Sequence, residues 1–233
     1  MNFTPPLHPG VLIKRYNRFL ADIELEDGQK VTAHCPNTGR ILGLTDPGQK
    51  VWVSYKECEK RKYPYTWEIA QEKDVFVGVN THTPNKLIYT ALKEKKIQGL
   101  ECYEHIKPEA AIGGSRLDFY MEGLQGPAYM EVKNVHLNRG GVACFPDTVT
   151  DRGTKHMREL THLAAQGVSV FMMYVVQRHD CHSFAVAGDI DSTYANAFQE
   201  ARGVTFLALS CQVSPLGITL DKSLSILSPL YES

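Results

Sequence analysis

The sequence predicts a mixed α/β protein in two parts, a small β-barrel over residues 1–80 and an α/β domain over 81–233. Three observations predict it. Short strand-like runs separated by Gly and Pro fill the first part. A helix start at Thr83-Pro84 then changes the pattern. Further on, the almost unbroken apolar run VSVFMMYVVQ (168–177) follows a segment of helical period, as a strand buried on both faces follows its crossover helix.

In the first part, VLIKRYNRFLADIEL alternates apolar and polar residues and ends at the turn signal Glu26-Asp27-Gly28, after which KVTAHC completes a hairpin. KVWVSYK, TWEIAQE and VFVGVN continue the series, and five strands in so short a stretch match an OB-type barrel in size. In the second part, Thr83-Pro84 caps and begins a helix with Leu87, Ala91 and Leu92 on one side. Strand-like runs follow at 105–112, 115–121 and 128–137. A second helix spans 149–166, with Met157, Leu160 and Leu163 as its apolar stripe and Gly167 as its stop. After the buried strand come a helix at 192–202 and a strand at 204–213. Strand 128–137, helix 149–166 and strand 168–177 are long enough to form a right-handed crossover unit.

Composition narrows the function classes. With 25 Lys plus Arg against 26 Asp plus Glu, the chain has no global positive field, so nucleic acid would have to meet a local basic patch. No apolar run approaches the length of a membrane span, so no membrane partner is expected. Prolines stand where a signal peptide needs an apolar run. The six cysteines (35, 58, 102, 144, 181 and 211) form no CxxC pair, which fits reduced thiols in a cytoplasmic protein. Cys35, beside Pro36, is the one with a candidate local role.

The sharpest feature is SRLDFYMEGLQGPAYMEVKNV, residues 115–135. Glu131 and Lys133 are two apart on a strand and leave the same face. A hairpin turning near Leu124 and Gln125 puts Asp118 opposite Glu131, on that face too. Two facing carboxylates repel unless something positive lies between them. Mg²⁺ or Mn²⁺ does this while keeping water and phosphate oxygens as further ligands. Lys133 would then hold the attacking water or the developing phosphodiester charge. The other reading is a cross-strand salt-bridge cluster on a solvated sheet face.

An Asp, then ExK, then a crossover helix and a buried strand resembles the PD-(D/E)XK nuclease-like fold. Leu117 stands where that name has Pro, a position without chemistry, and Glu94 and Glu101 both remain open as the extra acid some members carry on the first helix. Over the whole chain, PPLHPGVLIKRYNRFLADIEL, HCPNTGR, KRKYPYTWE, VGVNTHTPNKL, SRLDFYMEG, YMEVKNVHL, FPDTVTDRGTKHMREL and VVQRHD are similar to the sugar fermentation stimulation (SfsA) family. The resemblance implies an OB-fold domain followed by a nuclease-like domain, with Asp118, Glu131 and Lys133 as the metal-site triad. It also implies DNA binding without marked sequence preference and a regulatory part in sugar, especially maltose, metabolism. An active metal-dependent nuclease and a transcriptional co-regulator with a merely structural metal are the alternatives.

Basic and aromatic residues interleave at Lys14, Arg15 and Arg18, and again at Lys60, Arg61, Lys62 and Tyr63, the pattern by which OB barrels hold single strands. Phe19 and Trp67 read equally as stacking platforms or core. The His34–Arg40 loop could present N–H groups to an anion or merely connect. Arg152, Lys155 and His156 begin the crossover helix, whose N-terminus favours phosphate, and Arg152 and His156 share a face. His156 is open as a ligand or general base as well as a phosphate contact. DNA, single- or double-stranded, and a second copy of the chain are the expected partners.

Overall fold

The computed structural model describes residues 1–57, 62–112 and 115–231. Five strands build the first domain: β1 (His8–Tyr16), β2 (Leu20–Leu25), β3 (Lys30–His34), β4 (Lys50–Tyr55) and β5 (Tyr65–Glu72). They pair in the order β3-β2-β1-β4-β5, and a parallel β3–β5 contact through Ala33 and His34 closes the ring. This is the expected OB barrel. Its inward side chains, among them Leu12, Ile23, Val51, Val53 and Trp67, are buried. Trp67 is core, with its indole N–H donating to the Ile69 carbonyl at 2.9 Å, whereas Phe19 is 47% exposed. A sixth strand, β6 (Val75–Gly78), pairs antiparallel with β5 and leads out of the barrel.

The run VLIKRYNRFLADIEL is two strands, not one. Asn17 and Arg18 turn the chain at φ of 51° and 64°. Asn tolerates this left-handed conformation. Arg18, which does not favour it, has its carbonyl held by the Arg15 guanidinium at 2.5 Å. The hairpin puts Arg18 at one end of the barrel. β4 runs past the start of β1, where His8 pairs with Val53, and Tyr65, which opens β5, pairs with Ala33 of β3.

The second domain begins with α1 (Thr83–Lys93), whose N-cap is His82 rather than the expected Thr83. A six-stranded sheet follows, ordered β15-β14-β12-β9-β8-β7. Its strands are β7 (Tyr103–Ile112), β8 (Ser115–Gly123), β9 (Gly126–Val135), β12 (Ser169–Val176), β14 (Val204–Ser214) and β15 (Gly217–Ser223). β9, β12 and β14 are parallel and central, and β8 and β7 fold back antiparallel on one side. The crossover between β9 and β12 carries α2 (Asp151–Ala165), as the spacing predicts. Thr150 caps it by accepting from Gly153 N–H at 3.1 Å, and Gly167 leaves it at φ 80°.

The crossover also contains β10 (Leu137–Arg139) and β11 (Val142–Phe145), which join β13 (Ser183–Val186) and β16 (Ser225–Ile226) in a second, small sheet. Helix α3 (Ser192–Glu200) packs with α2 over the face of the main sheet that includes Tyr174 and Met172. On the other face, α1 and the outside of the barrel share one apolar core, in which Leu87, Ile88 and Ile69 meet Phe119, Met130 and Met173. Hydrogen bonds secure the seam. Gly78 N–H donates to the Gln177 carbonyl at 2.9 Å, the Gln177 amide donates to the Asn80 carbonyl at 3.0 Å, and Arg178 pairs with Glu72 at 2.7 Å. No helix among the described residues is long and apolar enough to cross a membrane. The five cysteines described (35, 102, 144, 181 and 211) are free, and burial pushes the Cys35 thiol pKa up, away from reactivity.

Candidate metal and nucleic-acid site

The β8–β9 hairpin has the register the sequence predicts, with Gly123 opposite Gly126 and Phe119 opposite Met130. One step further along lie Asp118 and Glu131. Asp118 Oδ2 accepts from the Val132 N–H at 2.7 Å, and its Oδ1 accepts from the Asn85 amide of α1 at 2.6 Å. Glu131, only 3% exposed, accepts through Oε1 from the Lys133 ammonium at 2.5 Å and meets His156 Nδ1 with the same oxygen. Its Oε2 is buried without a hydrogen-bond partner among the described residues.

Electrostatics separates the two acids. Burial, and then the neighbouring Glu131 charge, push the Asp118 pKa up to about 6. Burial also acts to raise the Glu131 pKa, yet Lys133 and His156 hold it below the usual carboxylate range. A satisfied salt-bridge cluster would have its cation between the carboxylates. Here the ammonium lies on Oε1, while Oε2 is bare and Asp118 has no cation in hydrogen-bond contact among the described residues. A hard divalent cation fits this donor set, since Mg²⁺ needs only one or two carboxylates and keeps its waters. Among the described residues no group of three or more His, Cys, Asp or Glu side chains could hold a metal, so an enclosed zinc-type site does not fit.

These groups line a cleft of about 480 Å³ to which both domains contribute. The barrel supplies Arg18, Asn37, Thr38 and Gly39, and the second domain supplies Asp118, Glu131, Lys133, Asn134 and Arg152. Arg18 and Arg152 are exposed. Two of the expected DNA contacts are turned inward. Arg15 points its guanidinium at the carbonyls of Arg18, Asn37, Gly39 and Arg40 and so braces the loop. His156 is 4% exposed and turned onto Glu131, which takes it off the helix surface that Arg152 shares with solvent.

The other expected contacts are dispersed. Lys14 lies 3.6 Å from Asp22 and over the Tyr16 ring, and Lys155 is on the exposed side of α2. Lys62 sits over Tyr63 at 5.4 Å from the ring centre and does not line the cleft, while Lys60 and Arg61 lie outside the described residues. Gly39 N–H in the 34–40 loop is already bonded to Asn37 Oδ1 at 2.9 Å, which removes it from anion binding. Glu94 pairs with Lys96 at 2.6 Å and Glu101 accepts from Gly99 N–H at 2.8 Å, and neither lines the cleft.

Sequence reasoning missed Asn85 and Asp147. Asn85 reaches Asp118 across 33 residues, and no local spacing announces it. Asp147 accepts from Ile41 N–H of the barrel at 2.7 Å and faces His136 at 3.3 Å, and these contacts hold its pKa low against burial. It fixes the barrel loop to the cleft wall; a Cβ added to Gly39 would lie 2.6 Å from the Asp147 carboxylate.

Comparison with known proteins agrees with this architecture. A family model described as SfsA N-terminal OB domain matches residues 13–79, and one described as sugar fermentation stimulation protein RE domain matches residues 82–217. The sugar fermentation stimulation protein homolog of Rhizobium rhizogenes is 48% identical over 224 residues, covering 94% of this chain and 90% of that protein. Its counterpart from Ruegeria pomeroyi is 46% identical, covering 94% and 98%. A solved structure described as Pyrococcus furiosus SfsA in complex with Ca²⁺ superposes with a TM-score of 0.91 at 26% identity, covering 97% of this chain and 98% of the other.

Proposed function

The chain belongs to the sugar fermentation stimulation protein family, and on that footing we propose that it binds DNA with little sequence preference in the cleft between its domains. There, with a divalent cation, it hydrolyses phosphodiesters. The observation that carries this reading is the bare, buried Oε2 of Glu131 beside Asp118. A buried carboxylate oxygen without a partner has a desolvation cost of about 1–3 kcal/mol or more, so the arrangement suits a cation that the protein alone does not supply. The Ca²⁺ of the related archaeal structure supports a divalent ion, and Mg²⁺ or Mn²⁺ is the ion that suits hydrolysis.

Asp118 and Glu131 would hold the ion, which when bound neutralises charge on the phosphodiester. Asn85 and the Val132 N–H fix the Asp118 carboxylate from two directions. Lys133, a largely buried ammonium beside Glu131, stabilises the charge that develops on the phosphoryl oxygens. Arg18 and Arg152 attract the flanking phosphates from the two domains. The backbone charges are common to every sequence, so such contacts position DNA without reading it.

End-labelled single- and double-stranded DNA incubated with Mg²⁺ or Mn²⁺ tests the proposal. Cleavage that requires the metal and is lost in Lys133→Ala is the expected result. Metal and DNA binding without cleavage would overturn hydrolysis and leave a co-regulator whose metal is structural. The family description supports a part in sugar fermentation, and maltose is the sugar we propose; growth of a deletion strain on maltose checks it.

A further inference from the structure

Helix α2 presents Gly153, Met157, Leu160 and Leu163 to the core, and His156 is buried among them. Its place is fixed at its N-terminus and along its buried face. Thr150 caps α2 while donating its own N–H to Asp191 Oδ2 at 2.8 Å, and Asp191 in turn caps α3 at Tyr194 N–H, 2.9 Å away. Met157 and Leu160 are fully buried against β12 residues such as Met172 and Tyr174. A polar ring on this apolar face needs a partner, and it has one in Glu131 Oε1.

Glu131 Oε1 meets both the Lys133 ammonium and His156 Nδ1, and a carboxylate oxygen accepts, so the His156 nitrogen meets it as an N–H donor. Lys133 donates to the same oxygen. Both donors thus fall on Oε1, and the carboxylate is oriented with Oε2 bare. We infer that His156 is a positioning residue that holds Glu131 through Oε1 and keeps Oε2 available to the divalent cation. The inference rests on the metal reading of the Asp118–Glu131 pair. It assigns His156 neither ligation nor proton transfer: Nδ1 is taken by Glu131, and the ion is met by the carboxylate. Partners of this kind, behind a ligand, typically change metal affinity 10- to 100-fold.

The test is calorimetric titration of the full-length protein with Mn²⁺, without DNA. His156→Ala is expected to weaken Mn²⁺ binding about 10- to 100-fold. His156→Asn places an amide N–H the same number of bonds from Cα as Nδ1, and is expected to restore affinity to within a few-fold. His156→Gln fills more of the histidine volume but carries its amide one carbon further out, and is expected to remain weak. If His156 only packs, Gln will match or exceed Asn, and the inference is overturned whether or not the Ala variant folds. Equal Mn²⁺ affinity in wild type and all three variants also overturns it. If the wild-type protein binds no Mn²⁺ while Asp118→Asn alters stability as described below, the metal reading itself fails and this inference with it.

Discussion

Replacing Asp118 with asparagine should make the metal-free protein more stable above pH 6 and about 1 kcal/mol less stable near pH 4. The carboxyl pKa is pushed from 3.8 up to about 6, first by burial and then by Glu131. Between those values the folded protein keeps a proton that the unfolded chain has released. Stability therefore declines as pH rises through this window and stays low above it. The displacement corresponds to about 3 kcal/mol at pH 8. Asparagine removes the charge and can still accept the Val132 N–H. Its amide then faces the Asn85 amide, which must turn over to accept, at a cost of about 1 kcal/mol. The net gain is about 2 kcal/mol, or about 4–8 °C in Tm for a chain of this size. Melts in EDTA at pH 8 and pH 4 measure it. Equal shifts at the two pH values, or destabilisation at pH 8, would refute the account of Asp118 as a charge held in an unfavourable place. Added Mg²⁺ should narrow the gap by stabilising wild type alone.

Three further outcomes are expected. Arg15→Ala should lower Tm by several degrees, because four carbonyls lose their donor, whereas Arg18→Ala should leave Tm unchanged and reduce DNA affinity; thermal melts and fluorescence anisotropy separate the two. Asp147→Ala should destabilise the protein at neutral pH by about 1–3 kcal/mol, and the difference from wild type should shrink as acid protonates Asp147 below the usual carboxylate range, as followed by urea unfolding against pH. Replacing Lys60, Arg61 and Lys62 together should flatten the salt dependence of DNA binding by about 0.7–0.9 log units for each phosphate that is no longer neutralised, and an unchanged slope would remove this loop from the interface.

The reach of the sequence was set by how local each signal is. The β8–β9 register follows from the turn and the alternation around it, so Asp118 and Glu131 pair on sequence spacing alone. Strand β12 and helix α2 announce themselves by composition and period. The small second sheet escaped although Gly140-Gly141 is a hairpin signal, because β10 and β11 have only three and four residues. Asn17-Arg18 escaped because a turn without Gly there depends on the Arg15 brace. At the site, charge and spacing identified the groups but not their facing. Arg15 and His156 carry the right chemistry for phosphate, yet each is oriented inward by partners far away in sequence: the carbonyls of the 37–40 loop for one, and Glu131 for the other.

The barrel, finally, divides the expected cations into two groups. Arg18 lines the cleft, whereas Lys62 with Tyr63 belongs to the β4–β5 connection and does not line it. If one strand of DNA meets both groups, a short oligonucleotide reaches only one of them and a longer one reaches both. Affinity plotted against length should then climb in two stages, and the second stage should vanish when Lys62 is replaced by alanine.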